Sequence, residues 1–333
     1  MASITETPPA AIREEQTRLR RQLGREIPRK TDRNLLIATW NLREFGDLTR
    51  KWDSTQADTP KRDLHALACI KEIVKRFDVV AIQEAQKSLG ALRELLIGLG
   101  RNWTVILTDP VEDDKGDDER LAFVFDHSRL AVDGLACELV VPYSWSRAKR
   151  PKTGMAGIAL DRQFARTPYA VSFKRRSAIF TLVTLHVYWG SKSDQDVKER
   201  GKELSSIATW LKEWARDPDT WDQNLICLGD FNIDRSGSAL WQAFTSTNLT
   251  VPEGLQSPNR QVGGKPLEHF YDQIAWFTEE KDGSKPLLSL HYTDRAGMFD
   301  WSLTALADSP LTAQEKSFRI SDHYPLWVEF ETG

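Results

Sequence analysis

Three cysteines in 333 residues, Cys69, Cys137 and Cys227, are too few and too far apart for a zinc site or a disulfide framework. Each sits in an apolar setting, so the sequence predicts buried free thiols and a reducing compartment. No apolar run approaches the length of a membrane span. The opening segment, Met1-Ala2-Ser3-Ile4-Thr5-Glu6, lacks the apolar core of a secretory signal, and the expected location is the cytoplasm. There is no glycine-rich phosphate loop, no internal repeat and no Gly-x-Ser-x-Gly nucleophile elbow. The net charge is only −3, so any contact with nucleic acid must come from a local basic patch.

The apolar fraction of 40% is enough for a sizeable core, and the length suits one large α/β domain. Residues 1–33 are polar and charged and read as an N-terminal arm, with a short helix over 12–23. Residues 34–333 read as a single catalytic domain. Amphipathic helices are predicted over 61–76, 87–99 and 195–216. Strands are predicted near 103–107, 120–125, 130–140, 168–174, 178–187, 224–229, 272–277 and 325–330. Many strands adjoin without a helix between them, which argues for mixed or largely antiparallel sheets in layers. Glu112 to Asp118 reads as a solvated acidic loop. Between Arg147 and Arg176 there are nine basic residues and one acid, Asp161. With Tyr143, Trp145, Phe164 and Tyr169 interleaved, that stretch points to a polyanion.

Four apolar runs end in a polar motif, and a fifth polar motif stands near the C-terminus. Leu35-Leu36-Ile37-Ala38 leads into Thr39-Trp40-Asn41-Leu42-Arg43, and Val79-Val80-Ala81-Ile82 into Gln83-Glu84. Thr181 to Leu185 leads into His186, Leu225 to Leu228 into Gly229-Asp230-Phe231-Asn232, and Ser321-Asp322-His323 lies near the C-terminus. Buried strands read as short apolar runs, and ionisable groups just past their ends mark a functional rim. The oxygen donors Asn41, Glu84, Asp230, Asn232 and Asp322 suit Mg²⁺, with Mn²⁺ or Ca²⁺ as alternatives. Two imidazoles, His186 and His323, add acid–base capacity. Together these groups point to metal-assisted cleavage of a phosphate ester.

This set of motifs resembles the endonuclease/exonuclease/phosphatase superfamily. The matching segments are Thr-Trp-Asn-Leu-Arg (39–43), Ile-Gln-Glu (82–84), Leu-His-Val (185–187), Gly-Asp-Phe-Asn (229–232), Tyr-Asp-Gln-Ile (271–274) and Ser-Asp-His-Tyr-Pro (321–325), in the family's order. Glu119-Arg120-Leu121 and Phe164-Ala165-Arg166-Thr167-Pro168 are similar to segments of the deoxyribonuclease branch. The resemblance implies a four-layered α/β sandwich, two packed mixed sheets flanked by helices. It implies Glu84, Asn41 and Asp322 as metal ligands. Asp230 and Asn232 would orient water and phosphate, His323 would be held by Asp272 and His186 by Glu119, and Arg166 would contact substrate phosphate. The implied reaction is in-line hydrolysis of a phosphodiester, most simply DNA, by a metal-positioned water, leaving a 5′-phosphate. An inositol phosphate or phospholipid substrate stays open, and so, further off, does a non-catalytic binding module.

Overall fold

A computed structural model describes residues 2–110, 118–139, 164, 166–217, 219, 221, 223–264, 268–278 and 288–332. The acidic loop up to residue 117 and the basic segment 147–152 lie outside the described residues.

The chain begins with helix α1 (Ala10–Glu26), longer at both ends than the predicted 12–23. Its buried positions, Ile12, Glu15, Gln16, Leu19, Gln22 and Leu23, repeat at helical spacing. That face packs on α2 (Leu64–Val74), which itself packs on α3 (Gly90–Leu99).

The first six-stranded sheet is centred on β1 (Asn34–Phe45). This strand runs parallel to β2 (Val79–Ala85) and antiparallel to β12 (Leu326–Glu331). Antiparallel β4 (Arg120–Asp126) and β3 (Trp103–Leu107) extend it on one side, and β11 (His291–Met298) closes the other. Alternation along β1 explains why it must be covered on both faces. Leu35 and Ile37 enter the core between the sheets, while Leu36, Ala38 and Trp40 enter a second core against α1, α2 and α3. A strand buried twice reads as a nearly unbroken apolar run.

The second sheet has the order β5 (Ala131–Glu138), β6 (Tyr169–Arg175), β7 (Ala178–His186), β8 (Leu225–Asp230), β10 (Asp272–Phe277), β9 (Leu249–Thr250). Only β7 and β8 are parallel within it. The helix between them, α4 (Asp194–Arg216), buries Leu204, Ile207 and Leu211 in the hydrophobic cluster of the second sheet and packs on α5 (Ala239–Thr245). A short α6 (Ala313–Ser317), closed by a capping box at Thr312 and Glu315, precedes β12. The result is two mixed sheets flanked by helices, the predicted α/β sandwich. Among the described residues no helix is long and apolar enough to cross a membrane.

Two strands absent from the sequence reading appear here. β9 is only two residues long, and β11 is a half-exposed edge strand carrying Asp294 and Arg295. Cys69 and Cys227 are buried as free thiols, whereas Cys137 is only partly buried.

Candidate active site

Strand direction gathers the motifs. Parallel β1 and β2 put Asn41 beside Gln83, and parallel β7 and β8 put His186 beside Asp230. The antiparallel strands enter from the same end. Arg120 pairs with Ala85, Asp272 with Asp230 and Leu326 with Thr39, so Glu119 and the loop 321–323 lie there too. One edge of the sandwich therefore receives the C-ends of four strands and the N-ends of three.

At this edge the side chains cross between the sheets. His323 Nδ1, from the first sheet, lies 2.7 Å from Asp272 Oδ2 of the second. In the opposite sense, His186 Nδ1 of the second sheet lies 2.9 Å from Glu119 Oε2 of the first. Both imidazoles turn their other nitrogen toward Asp230. Its Oδ2 is 3.6 Å from His186 Nε2 and 3.9 Å from His323 Nε2. His323 Nδ1 is hydrogen-bonded to its carboxylate and His186 Nδ1 stands close to one, so on each ring Nε2 is the atom turned toward substrate.

Asn41 links this pair to Glu84. Its Nδ2 donates to Glu84 Oε1 at 2.7 Å and to Asp230 Oδ2 at 3.1 Å. Glu84 holds a left-handed backbone, φ 60°, which a non-glycine residue adopts at a cost of about 1–3 kcal/mol. The Glu44 N–H donates to its Oε2 at 2.9 Å. Register shifts interrupt both ladders of β2 beside it, between Asn41 and Phe45 and between Ile82 and Ala85. Such bulges re-aim side chains at a strand end.

Asp230 Oδ1 accepts from the Asn232 N–H at 2.9 Å, and Asn232 Nδ2 donates to the Val187 carbonyl at 2.6 Å. Gly229 is required by close approach. At φ 142°, a Cβ there would sit 2.1 Å from the Leu185 carbonyl oxygen. In the Ser-Asp-His motif, Ser321 Oγ donates to the Asn41 carbonyl at 2.6 Å and accepts from the His323 N–H at 2.9 Å. Asp322 stands slightly apart from the other carboxylates, 3.6 Å from Arg43 Nη1.

Arg166, expected to contact substrate phosphate, lies beside the Glu119–His186 pair. It is buried, and its Nε lies 2.6 Å from Glu119 Oε2, so its charge supports the Glu119–His186 pair from behind. Burial, then the Arg166 charge, push the His186 pKa down to about 4. Burial also disfavours a charged His323, but Asp272, Asp230 and Asp322 outweigh it and hold that imidazole well above its ordinary value.

Several supporting residues are not among the predicted site residues. Buried Arg62 donates to the carbonyls of Leu42, Arg43 and Glu44 and to those of Arg319 and Ile320, tying the loop after β1 to the loop before β12. Gln83 accepts from Thr39 at 3.2 Å and donates to Thr184 at 3.0 Å, another bridge between the sheets. His269 hydrogen-bonds the Tyr271 hydroxyl, and the Tyr271 ring lies 5.8 Å from that of His323. Proximity to the Tyr-Asp-Gln-Ile motif was the available signal for His269.

The donor set fits a hard divalent cation. Glu84, Glu119 and His186 form one group of ligand atoms within 4.8 Å of one another, and Asp230, Asp272 and His323 form another. Among the described residues, the buried Asn41 Oδ1 and Asp272 Oδ1 have no hydrogen-bond donor. Acceptor atoms left bare beside carboxylates are groups a cation would satisfy.

No protein-family model matches the chain, and no curated protein matches it. Solved structures do. An endonuclease/exonuclease/phosphatase family protein from Bacteroides thetaiotaomicron is 20% identical with a TM-score of 0.54, over 90% of this chain and 98% of that one. The human Nocturnin catalytic domain with bound sulfate anion is 16% identical with a TM-score of 0.53, over 90% and 95%. D. rerio TDP2 complexed with a single-strand DNA product is 16% identical with a TM-score of 0.53, over 90% and 99%. In its two sheets and flanking helices, the chain has the deoxyribonuclease-like fold of the endonuclease/exonuclease/phosphatase proteins.

Proposed function

We propose that the chain is a metal-dependent phosphodiesterase acting on nucleic acid, with DNA the favoured substrate. One observation carries this reading: two buried carboxylate–imidazole pairs, built from opposite sheets, converge on the single carboxylate of Asp230. That arrangement suits a tetrahedral centre approached from two sides, as in-line displacement at phosphorus requires. The TDP2 structure with a single-strand DNA product has the same fold, which supports a nucleic-acid substrate over an inositol phosphate or a phospholipid.

Glu84, Asn41 and Asp322 would hold Mg²⁺ or a similar ion, with Asn41 Oδ1 as the bare acceptor. When bound, the ion neutralises charge on the phosphoryl oxygens and positions water. The remaining work falls to the chain's own residues. Asp230 and Asn232 orient the attacking water. His186, neutral at physiological pH, has Nε2 free to take its proton. His323, kept cationic by Asp272, faces the growing negative charge and can return a proton to the leaving oxygen. Arg166 holds Glu119 beside His186 and is the residue we assign to a substrate phosphate.

The test is a parallel assay with Mg²⁺ or Mn²⁺ on plasmid DNA, RNA, sphingomyelin and an inositol polyphosphate. DNA should be cleaved fastest, and Glu84→Gln should raise the metal concentration needed for half-maximal rate while the protein stays folded. Full activity in excess chelator, or turnover of the inositol polyphosphate alone, would overturn the reading.

A further inference from the structure

A partly exposed aromatic ring stands at the margin of the site with no part in the chemistry so far. Trp189 lies three residues beyond His186, in the loop between β7 and α4. Its ring packs edge-on with Tyr271 at 5.4 Å, and Tyr271 in turn packs on His323 at 5.8 Å. The ring is therefore two contacts from a group that faces the scissile bond.

The loop that carries Trp189 is fixed at both ends. The Val187 N–H donates to the Asp230 carbonyl at 2.8 Å, and the Val187 carbonyl accepts from Asn232. Arg200 of α4, only 3% exposed, donates from Nη1 to the Trp189 carbonyl at 2.6 Å. Its guanidinium carbon lies 4.3 Å from the Trp189 ring centroid. A buried cation against the ring holds the indole, which stays partly exposed. A large planar group fixed in this way loses little entropy on binding a partner.

We infer that Trp189 is the floor of a nucleobase subsite that takes an unpaired base next to the scissile phosphate. The inference rests on the phosphodiesterase reading above and narrows it. A ligand must offer a phosphate to the histidines and a flat π-face to the indole at once. A nucleotide does so, whereas inositol rings and lipid headgroups have no such face. In duplex DNA each base is covered on both faces by its neighbours, so the subsite selects single strands, frayed ends or displaced bases. Stacking of this kind tolerates any base.

The experiment compares kcat/KM on a single-stranded oligonucleotide with that on the same strand in which the bases around the cut are replaced by tetrahydrofuran abasic residues. Wild type should prefer the base-bearing strand. Trp189→Ala should lower kcat/KM on that strand by about 5- to 100-fold, chiefly through KM, and change the abasic strand far less. Trp189→Phe, which keeps a π-face, should retain most of the preference. Trp189→Leu, which fills space without one, should lose it, and covers the case in which the alanine variant does not fold. Equal losses on both strands, or an unchanged preference in Trp189→Leu, would refute the subsite. A wild-type enzyme that cleaves neither strand but hydrolyses an inositol polyphosphate would instead overturn the nuclease reading itself.

Discussion

The two halves of the site share a plan and differ in charge. Each has an imidazole whose Nδ1 meets a carboxylate from the opposite sheet, at 2.9 Å for His186 and 2.7 Å for His323. Both rings are buried. Yet one is pushed down to about 4 and the other is held above its ordinary value. Burial acts on both in the same direction. What separates them is the company of the carboxylate: Glu119 is shared with the Arg166 guanidinium, whereas His323 is surrounded by Asp272, Asp230 and Asp322. Two titratable groups pushed apart in this way can serve as base and acid at one pH. The arginine beside the first carboxylate, and the hydrogen bond that only the second pair makes, set two similar pairs apart.

The largest effect expected is from removing either ring. His186→Ala and His323→Ala should each lower kcat by about 10²- to 10⁴-fold on the best substrate. If the halves act in one concerted step, the double variant should be about as slow as the slower single one, because groups that act as a unit are not additive. Multiplicative losses in steady-state kcat would show that each ring works without the other.

A smaller and asymmetric effect is expected from the carboxylates. Orienting partners of this kind typically contribute about 10- to 100-fold. Asp272→Asn keeps the shape but removes the charge that keeps His323 protonated, so it should cost toward the upper end. Glu119→Gln leaves His186 neutral, as it already is, and should cost toward the lower end. Rates measured side by side at pH 7 decide this. Equal losses would mean that both carboxylates only orient their rings.

Much of this site could be read from the order of residues, because each motif terminates a strand and strand ends share one edge. The apolar runs at 35–38, 79–82 and 225–228 are doubly covered strands, where composition and burial agree. Edge strand β11 was not legible, since half-exposed residues such as Asp294, Arg295 and Gly297 break the alternation that marks a strand. The Arg166–Glu119 pair was not legible because the two residues are distant in sequence and only folding brings them together. The same holds for Arg62, whose five acceptors are backbone carbonyls, and for the stack of Trp189 on Arg200. Backbone acceptors carry no residue signature, so no pattern announces them.

The subtlest test is to make the two halves alike. Arg166→Met keeps much of the side chain's bulk while removing the cation that lowers the His186 pKa. Burial, the larger cause of the depression, would remain, so the His186 pKa should rise from about 4 without regaining its ordinary value of about 6.5, measured by NMR titration of the metal-free protein. The sign for stability follows. With a depressed folded-state pKa, His186 binds fewer protons in the native than in the unfolded protein between about pH 4 and 6.5, so its contribution makes stability fall as pH falls through that window. In Arg166→Met that part of the slope should flatten, visible as a smaller difference in denaturation midpoint between pH 6.5 and 4.5 than in wild type. Activity should fall at every pH, because Arg166 also holds Glu119, but the loss should grow as the solution is acidified and His186 gains its proton at higher pH than in wild type. If His186 still titrates near 4, depth of burial alone sets its charge, and the difference between the two halves lies in their packing rather than in Arg166.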